Sequence, residues 1–237
     1  MTSNRFSRVG LLAVVLVAVL TACQQVDENA PVPAAPASNS PAETSTASDV
    51  DPLETVTVVE VGPESLDLVD ADGATVMALS YDDAVDGVVK ALTIVLASEP
   101  AVTPEDGGLE SPAFVRYEWA GFELQDAQPE AGSFTDISNY LVSVTVAAQD
   151  DVSFVTPAGS RIGDDLRTQA QHGGVEVDET FASMDQLFYF ELGPELSTKP
   201  GENPTNPNAR AVTLSSSTPS GVIDKIVASS NPSFSVQ

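Results

Sequence analysis

The chain has 237 residues, 35 Asp+Glu against 9 Lys+Arg and a formal charge of −26, with one cysteine, one histidine and one tryptophan. A single cysteine excludes an intrachain disulfide framework, and one Cys with one His excludes the common four-ligand structural zinc sites. The acidity argues against a nucleic-acid partner, because binding DNA or RNA needs Lys and Arg to replace phosphate counterions, and the 42% hydrophobic content is that of a chain that folds.

Residues 1–22 read as an address. Arg5 and Arg8 make a positive start, and Val9–Leu20 is a short apolar run. At 1.5 Å per residue that run reaches only about 18 Å, against a bilayer core of about 30 Å. A cleaved export signal is therefore expected rather than a spanning helix. The next residues, Leu20-Thr21-Ala22-Cys23, resemble the lipobox of bacterial lipoproteins: Leu, a small or polar residue, Ala or Gly, then Cys. The resemblance implies diacylglyceryl transfer to the Cys23 sulfur, cleavage before Cys23, and N-acylation with a fatty acid such as palmitate. Lipid attachment at Cys23 is the one site residue assigned. Its thiol is then consumed, and the bilayer becomes a partner through the acylated cysteine.

Removing residues 1–22 takes away two arginines and no acid, leaving 7 basic against 35 acidic residues and a formal −28. Such a chain is repelled by anionic headgroups, so the body should stand off the surface. Residues 24–51 are rich in Pro, Ala, Ser, Thr and acids and contain no aromatic residue. They cannot bury enough apolar area to offset chain entropy. As a coil of 28 residues, this tether reaches roughly 30 Å.

From Leu53 the pattern changes. Thr55–Val61 is β-branched and predicts a strand. Ser65–Asp70 and Ala74–Leu79 flank Asp70-Ala71-Asp72-Gly73 and predict a hairpin. Residues 82–98 switch period: Val85, Val88, Val89, Leu92, Val95 and Leu96 share one helical face. Ser80 or Asp82 is the expected cap, and Pro100 follows the end. Residues 101–112 read as a Pro/Gly/Glu loop. Phe114–Trp119 and Phe122–Gln125 predict a hairpin around Ala120-Gly121. Tyr140–Ala147 alternates, with Tyr140, Val142, Val144 and Val146 on one face of a half-buried strand.

A second cycle follows. Val152–Thr156 is strand-like and Pro157–Ser160 a turn. Gly163–His172 predicts a short helix ended by Gly173-Gly174. Leu187–Leu192 is a strand, Lys199–Asn208 a polar loop, and Ala209–Leu214 and Val222–Ala228 closing strands. The expected fold class is α+β: antiparallel sheet with one helix per half, an order compatible with two tandem helix-on-sheet units. The expected domains are the signal 1–22, the lipidated Cys and tether 23–52, a first α+β half 53–150 and a second 151–237.

Thr156-Pro157-Ala158-Gly159-Ser160-Arg161-Ile162-Gly163-Asp164, followed by a short helix and strands, resembles a unit of exported proteins from high-GC Gram-positive bacteria. Similar helix-on-sheet units occur in the β-lactamase-inhibitor protein and in small lipoproteins of the outer-membrane assembly machinery. That resemblance implies protein binding, not catalysis; here Arg161 separates Gly159 from the apolar-Gly-Asp part of the pattern. The whole chain more broadly resembles actinobacterial-type lipoproteins of unknown function.

Candidate chemistry is thin. His172, in the last turn of the second helix, suits the helix dipole and has no sequence pattern supplying a nucleophile and an orienting acid. Asp70-Ala71-Asp72-Gly73 has part of the spacing of a calcium loop, but Leu68 and Leu79 stand where the first and last ligands belong. Gly159–Gly163 before a helix could cradle an anion, yet Asp164 and Asp165 follow and would repel it. Tyr117, Trp119 and Phe122 around the hairpin turn suit either core packing or an exposed aromatic tip for a partner.

No catalytic residue, metal ligand or cofactor is implied. The expected function is that of a lipid-anchored lipoprotein on the extracytoplasmic face of the cell membrane, a non-enzymatic binding or accessory module with a protein or cationic partner. The alternative is a carboxylate-dependent cell-envelope hydrolase using two facing carboxyl groups.

Overall fold

The β-branched run that opens at Val56 forms β1 (Val56–Val61), behind a 3-10 turn, Pro52–Thr55. Asp51 opens that turn by accepting the Leu53 N–H at 3.0 Å. The expected hairpin follows as β2 (Ser65–Asp70) and β3 (Thr75–Ser80). A computed structural model describes residues 50–108, 113–127, 138–175, 177–178, 186–195 and 209–230, all within one compact unit, Ser48–Gln237. Cys23, the expected signal, most of the expected tether and the expected Lys199–Asn208 loop lie outside the described residues.

After the hairpin come α1 (Val85–Val95), β4 (Ala101–Glu105), β5 (Phe114–Glu118), β6 (Phe122–Ala127) and β7 (Tyr140–Val144). β8 (Ala148–Gln149) closes the first half, and the second contributes β9 (Val152–Val155), α2 (Leu166–Gly173), β10 (Leu187–Glu195), β11 (Ala209–Ser216) and β12 (Lys225–Ser230). The fold is α+β and dominated by sheet. One sheet runs β3-β2-β1-β9-β8, the other β10-β11-β12-β7-β6-β5-β4. Among the described strands every pairing is antiparallel except that of β1 with β9, which sets Val59 beside Phe154.

Among the described residues each half carries one α-helix, but the halves interleave. β1 of the first half pairs with β9 of the second, and β7 with β12. Residue 150 is thus a boundary between elements and not between sheets. The buried residues of both sheets and both helices form one core. Phe122 of β6 stacks on Phe154 of β9 with ring centroids 5.4 Å apart, joining the two sheets. Tyr81, beyond β3, packs against Tyr140 of β7 at 5.2 Å; each donates its hydroxyl to a backbone carbonyl, Tyr81 to Gly62 and Tyr140 to Leu79.

Several local expectations are corrected. Ala101–Glu105 is a strand, not a loop: it pairs with β5 from Ala101↔Glu118 to Glu105↔Phe114. It is the outermost strand of its sheet, where Pro104 costs no ladder bond. α1 is shorter than expected, and neither Ser80 nor Asp82 caps it. Ser80 and Asp83 close a turn on each other instead, and the cap position is Ala84, with no side-chain bond. β7 ends at Val144, short of the expected Ala147, although the Thr145 N–H still donates to the Gly121 carbonyl in step with the β6–β7 register. α2 begins at Leu166, since Asp165 is its cap, accepting the Thr168 N–H at 2.7 Å. Gly174, with φ 70°, ends it. Val222 forms an isolated bridge with Asp165 and lies outside β12. Among the described residues no helix is long and apolar enough to cross a membrane.

Candidate functional site

The amphipathic period of α1 aims Val88, Ala91, Leu92 and Val95 into the core. The edge of that apolar face stays open. Between α1, β3 and the Pro52–Thr55 turn lies a groove of about 430 Å³. Leu53 lines it from the turn, Val76 and Met77 from β3, and Ala91 and Ile94 from the helix. Met77 is 39% exposed, although its partner Leu68 on β2 is wholly buried. Here, then, the sheet's apolar face continues past its cover. Two charged residues line the groove, Lys90 and Asp51; Asp51 is engaged in opening the 3-10 turn.

The β3 wall is also a sheet edge. Hydrogen-bonded and non-bonded pairs alternate along an antiparallel ladder. The Tyr81 N–H donates to the Glu64 carbonyl at 3.3 Å, and the register continues through Ser65↔Ser80, Leu66↔Leu79 and Asp67↔Ala78. Ser80 and Ala78 therefore turn their N–H and C=O groups away from β2. Asp83 Oδ2 takes the Ser80 N–H at 2.8 Å. Ala78 is exposed, and its outward N–H and C=O lie on the open edge of β3. Natural edges are usually guarded by Lys, Pro or bulky charge; Thr75–Ser80 contains none of these.

A second cluster joins the two sheets. Glu60 on β1 stands opposite Asp67 on β2, and Glu191 on β10 lies near enough to act on it. Burial, then the charges of Asp67 and Glu191, push the Glu60 carboxyl above its ordinary value. Glu191 is committed: its Oε1 accepts the Thr156 hydroxyl at 2.7 Å and the Ser160 hydroxyl at 3.0 Å. Asp67 accepts the Ser65 hydroxyl at 2.9 Å. Among the described residues no group of three or more His, Cys, Asp and Glu is arranged to hold a metal ion.

The residues singled out in the sequence take structural places. His172 is exposed in the last turn of α2. Asp70 accepts the N–H groups of Asp72 and Ala74 through Oδ1, both at 2.9 Å, which makes Asp70–Gly73 a self-capped turn. The donors of the Gly159–Gly163 loop point inward. Ser160 N–H goes to Thr156 Oγ1, Arg161 N–H to Asp164 Oδ2 and Gly163 N–H to the Ile223 carbonyl, so the loop offers no cradle for an anion. Trp119 is buried, donates Nε1–H to the Ser98 carbonyl at 2.9 Å and meets Phe122 edge-on at 5.9 Å. Trp119 and Phe122 are thus core, and Tyr117 is half-buried against it, while Ala120 at the tip is exposed.

Sequence reasoning missed the groove and the Glu60 cluster. Two signals pointed to the groove: a glycine, Gly87, in the first turn of an otherwise good helix, and a strand without a guarding charge. No signal pointed to Glu60, whose neighbour Glu191 is distant in sequence. Compared with protein-family models, curated proteins and solved structures, the chain matches none.

Proposed function

We propose that this chain is a membrane-anchored extracytoplasmic lipoprotein whose body is a non-enzymatic binding module, held at the cell membrane through acyl chains on Cys23. The anchor rests on the order of Arg5 and Arg8, the apolar run Val9–Leu20 and the Leu20-Thr21-Ala22-Cys23 motif. Two or three acyl chains hold stably where one binds reversibly. The observation that carries the binding reading is the groove between β3 and α1. It is concave and largely apolar with few polar groups, which is the character of a recognition site, and its one carboxylate serves a turn.

The second reading, a carboxylate-dependent hydrolase of envelope polymer, is favoured by the raised carboxyl of Glu60 beside Asp67 and Glu191. It is the weaker one. A hydrolase needs two carboxyl groups free to face a substrate, and Glu191 and Asp67 each hold hydroxyls of their own chain.

Cell fractionation tests the anchor: wild type should sediment with membranes and the Cys23→Ser variant should not. Equal sedimentation would overturn it. Incubation of the full chain with cell-wall polymer tests the body and should release no soluble fragments. Release that disappears in a Glu60→Gln variant would move the assignment to the hydrolase.

A further inference from the structure

We infer that the groove between β3 and α1 takes an extended basic segment of a partner protein, laid along β3 as a further strand. The inference rests on the binding reading above and names its occupant. Three independent features of the groove converge on it.

The first is the backbone. The outward N–H and C=O of Ala78 are main-chain groups at the border of an apolar groove, and a partner strand satisfies such groups while its alternate side chains enter the groove. Val76 and Met77 on one wall and Ala91 and Ile94 on the other supply the apolar contacts.

The second is Gly87. It is helical, without positive φ, and a Cβ built on it would meet no atom within 4 Å. Neither crowding nor backbone conformation within the chain calls for glycine there. Its missing side chain leaves width in the groove wall, which it lines.

The third is charge. The lining itself carries one acid, Asp51, and one base, Lys90, within a span, residues 50–98, that holds ten acidic residues and no other basic one. Asp51 of the lining is exposed, as are Glu54 and Asp86, the chain neighbours of lining Leu53 and Gly87. A basic segment is attracted and an acidic one repelled. The same arithmetic disfavours a second copy of this chain pairing edge to edge, since each copy carries a formal −26.

The test uses the full chain in non-ionic detergent and two probes of about ten residues, a length that spans a strand: one alternates Lys and Val, the other Glu and Val. Binding is measured by fluorescence anisotropy at low and high salt, with thermal melting of every variant. The Lys-Val peptide should bind and weaken with salt, and the Glu-Val peptide should not bind. Gly87→Phe should fill the groove and lower Lys-Val affinity at least about tenfold while melting no lower than wild type. Ala78→Pro removes an outward N–H that no ladder bond uses and should weaken binding similarly. Lys90→Glu, a change at an exposed position, should strengthen it.

Failure of the Lys-Val peptide to bind, or equal binding by wild type and Gly87→Phe, overturns the inference. So does weaker Lys-Val binding by Lys90→Glu. None of these results touches the binding-module reading, which the cell-wall hydrolysis measurement judges separately.

Discussion

Glu60 holds a charge at some cost to the fold. Its carboxyl is raised in the folded state by burial and then by the Asp67 and Glu191 charges. In the window between its unfolded and folded values the folded chain binds the extra proton, so stability falls as pH rises through that window. Asp165 has the opposite sign: hydrogen bonds from the Thr168 side chain and backbone hold its carboxyl low, and the stability it adds is lost as pH falls through its folded value. Glu60→Gln should therefore raise the melting temperature at neutral pH, with no gain in acid, where Glu60 is protonated in both states. A gain of the same size at every pH would show that ionisation is not its origin. Backbone demands are as specific. Gly121 has φ +88° and a Cβ there would lie 2.5 Å from Val146 Cγ1, whereas Gly159 has φ +85° and open space. Gly121→Ala should cost about 2–4 kcal/mol, strain and clash together, and Gly159→Ala about 1 kcal/mol from strain alone. Equal costs in chemical denaturation would remove the clash from the account.

At the scale of the element, α1 shows how far periodicity carries. The six residues assigned to its apolar face include the four-residue buried set's Val88, Leu92 and Val95, and the other three are buried or packed against the core. Its ends were less legible, because Asp82 and Asp83 look like first-turn acids while the Ser80–Asp83 turn claims them first. Val88 is 1% exposed and Lys90 is exposed. Val88→Asp should cost about 3 kcal/mol or more, from an unpaired buried charge, and Lys90→Ala should stay within about 0.5 kcal/mol. Similar melting shifts for the two would reverse the face assignment. β4 shows the limit of local reading: Pro104 and Glu105 look like loop residues, and only the partner β5 makes them a strand.

For the whole molecule, the interleaving of the halves predicts a shared fate for the two sheets. Phe154 of one sheet stacks on Phe122 of the other, and both are wholly buried. Phe154→Ala should cost about 3–5 kcal/mol, and backbone and aromatic signals should lose stability together in one transition. Two separated transitions, with one sheet surviving the other, would mean that the sheets do not depend on a common core.

Alone, the sequence determined what neighbours along the chain decide: the strand period of Tyr140–Val144, the apolar face of α1, the turn at Asp70–Gly73 and the stop at Gly173-Gly174. Each of these depends on residues within a turn or a hairpin of one another. The tertiary structure decided which segments meet: β1 beside β9 in parallel, β7 beside β12, Glu191 within reach of Glu60. It also decided that β3 would be an edge, that Met77 would stay exposed beside a buried Leu68, and that Gly87 would border open space. The physical reason is that an edge, a groove and a raised carboxyl are defined by what lies across space, and that depends on pairings between distant segments which no local pattern encodes.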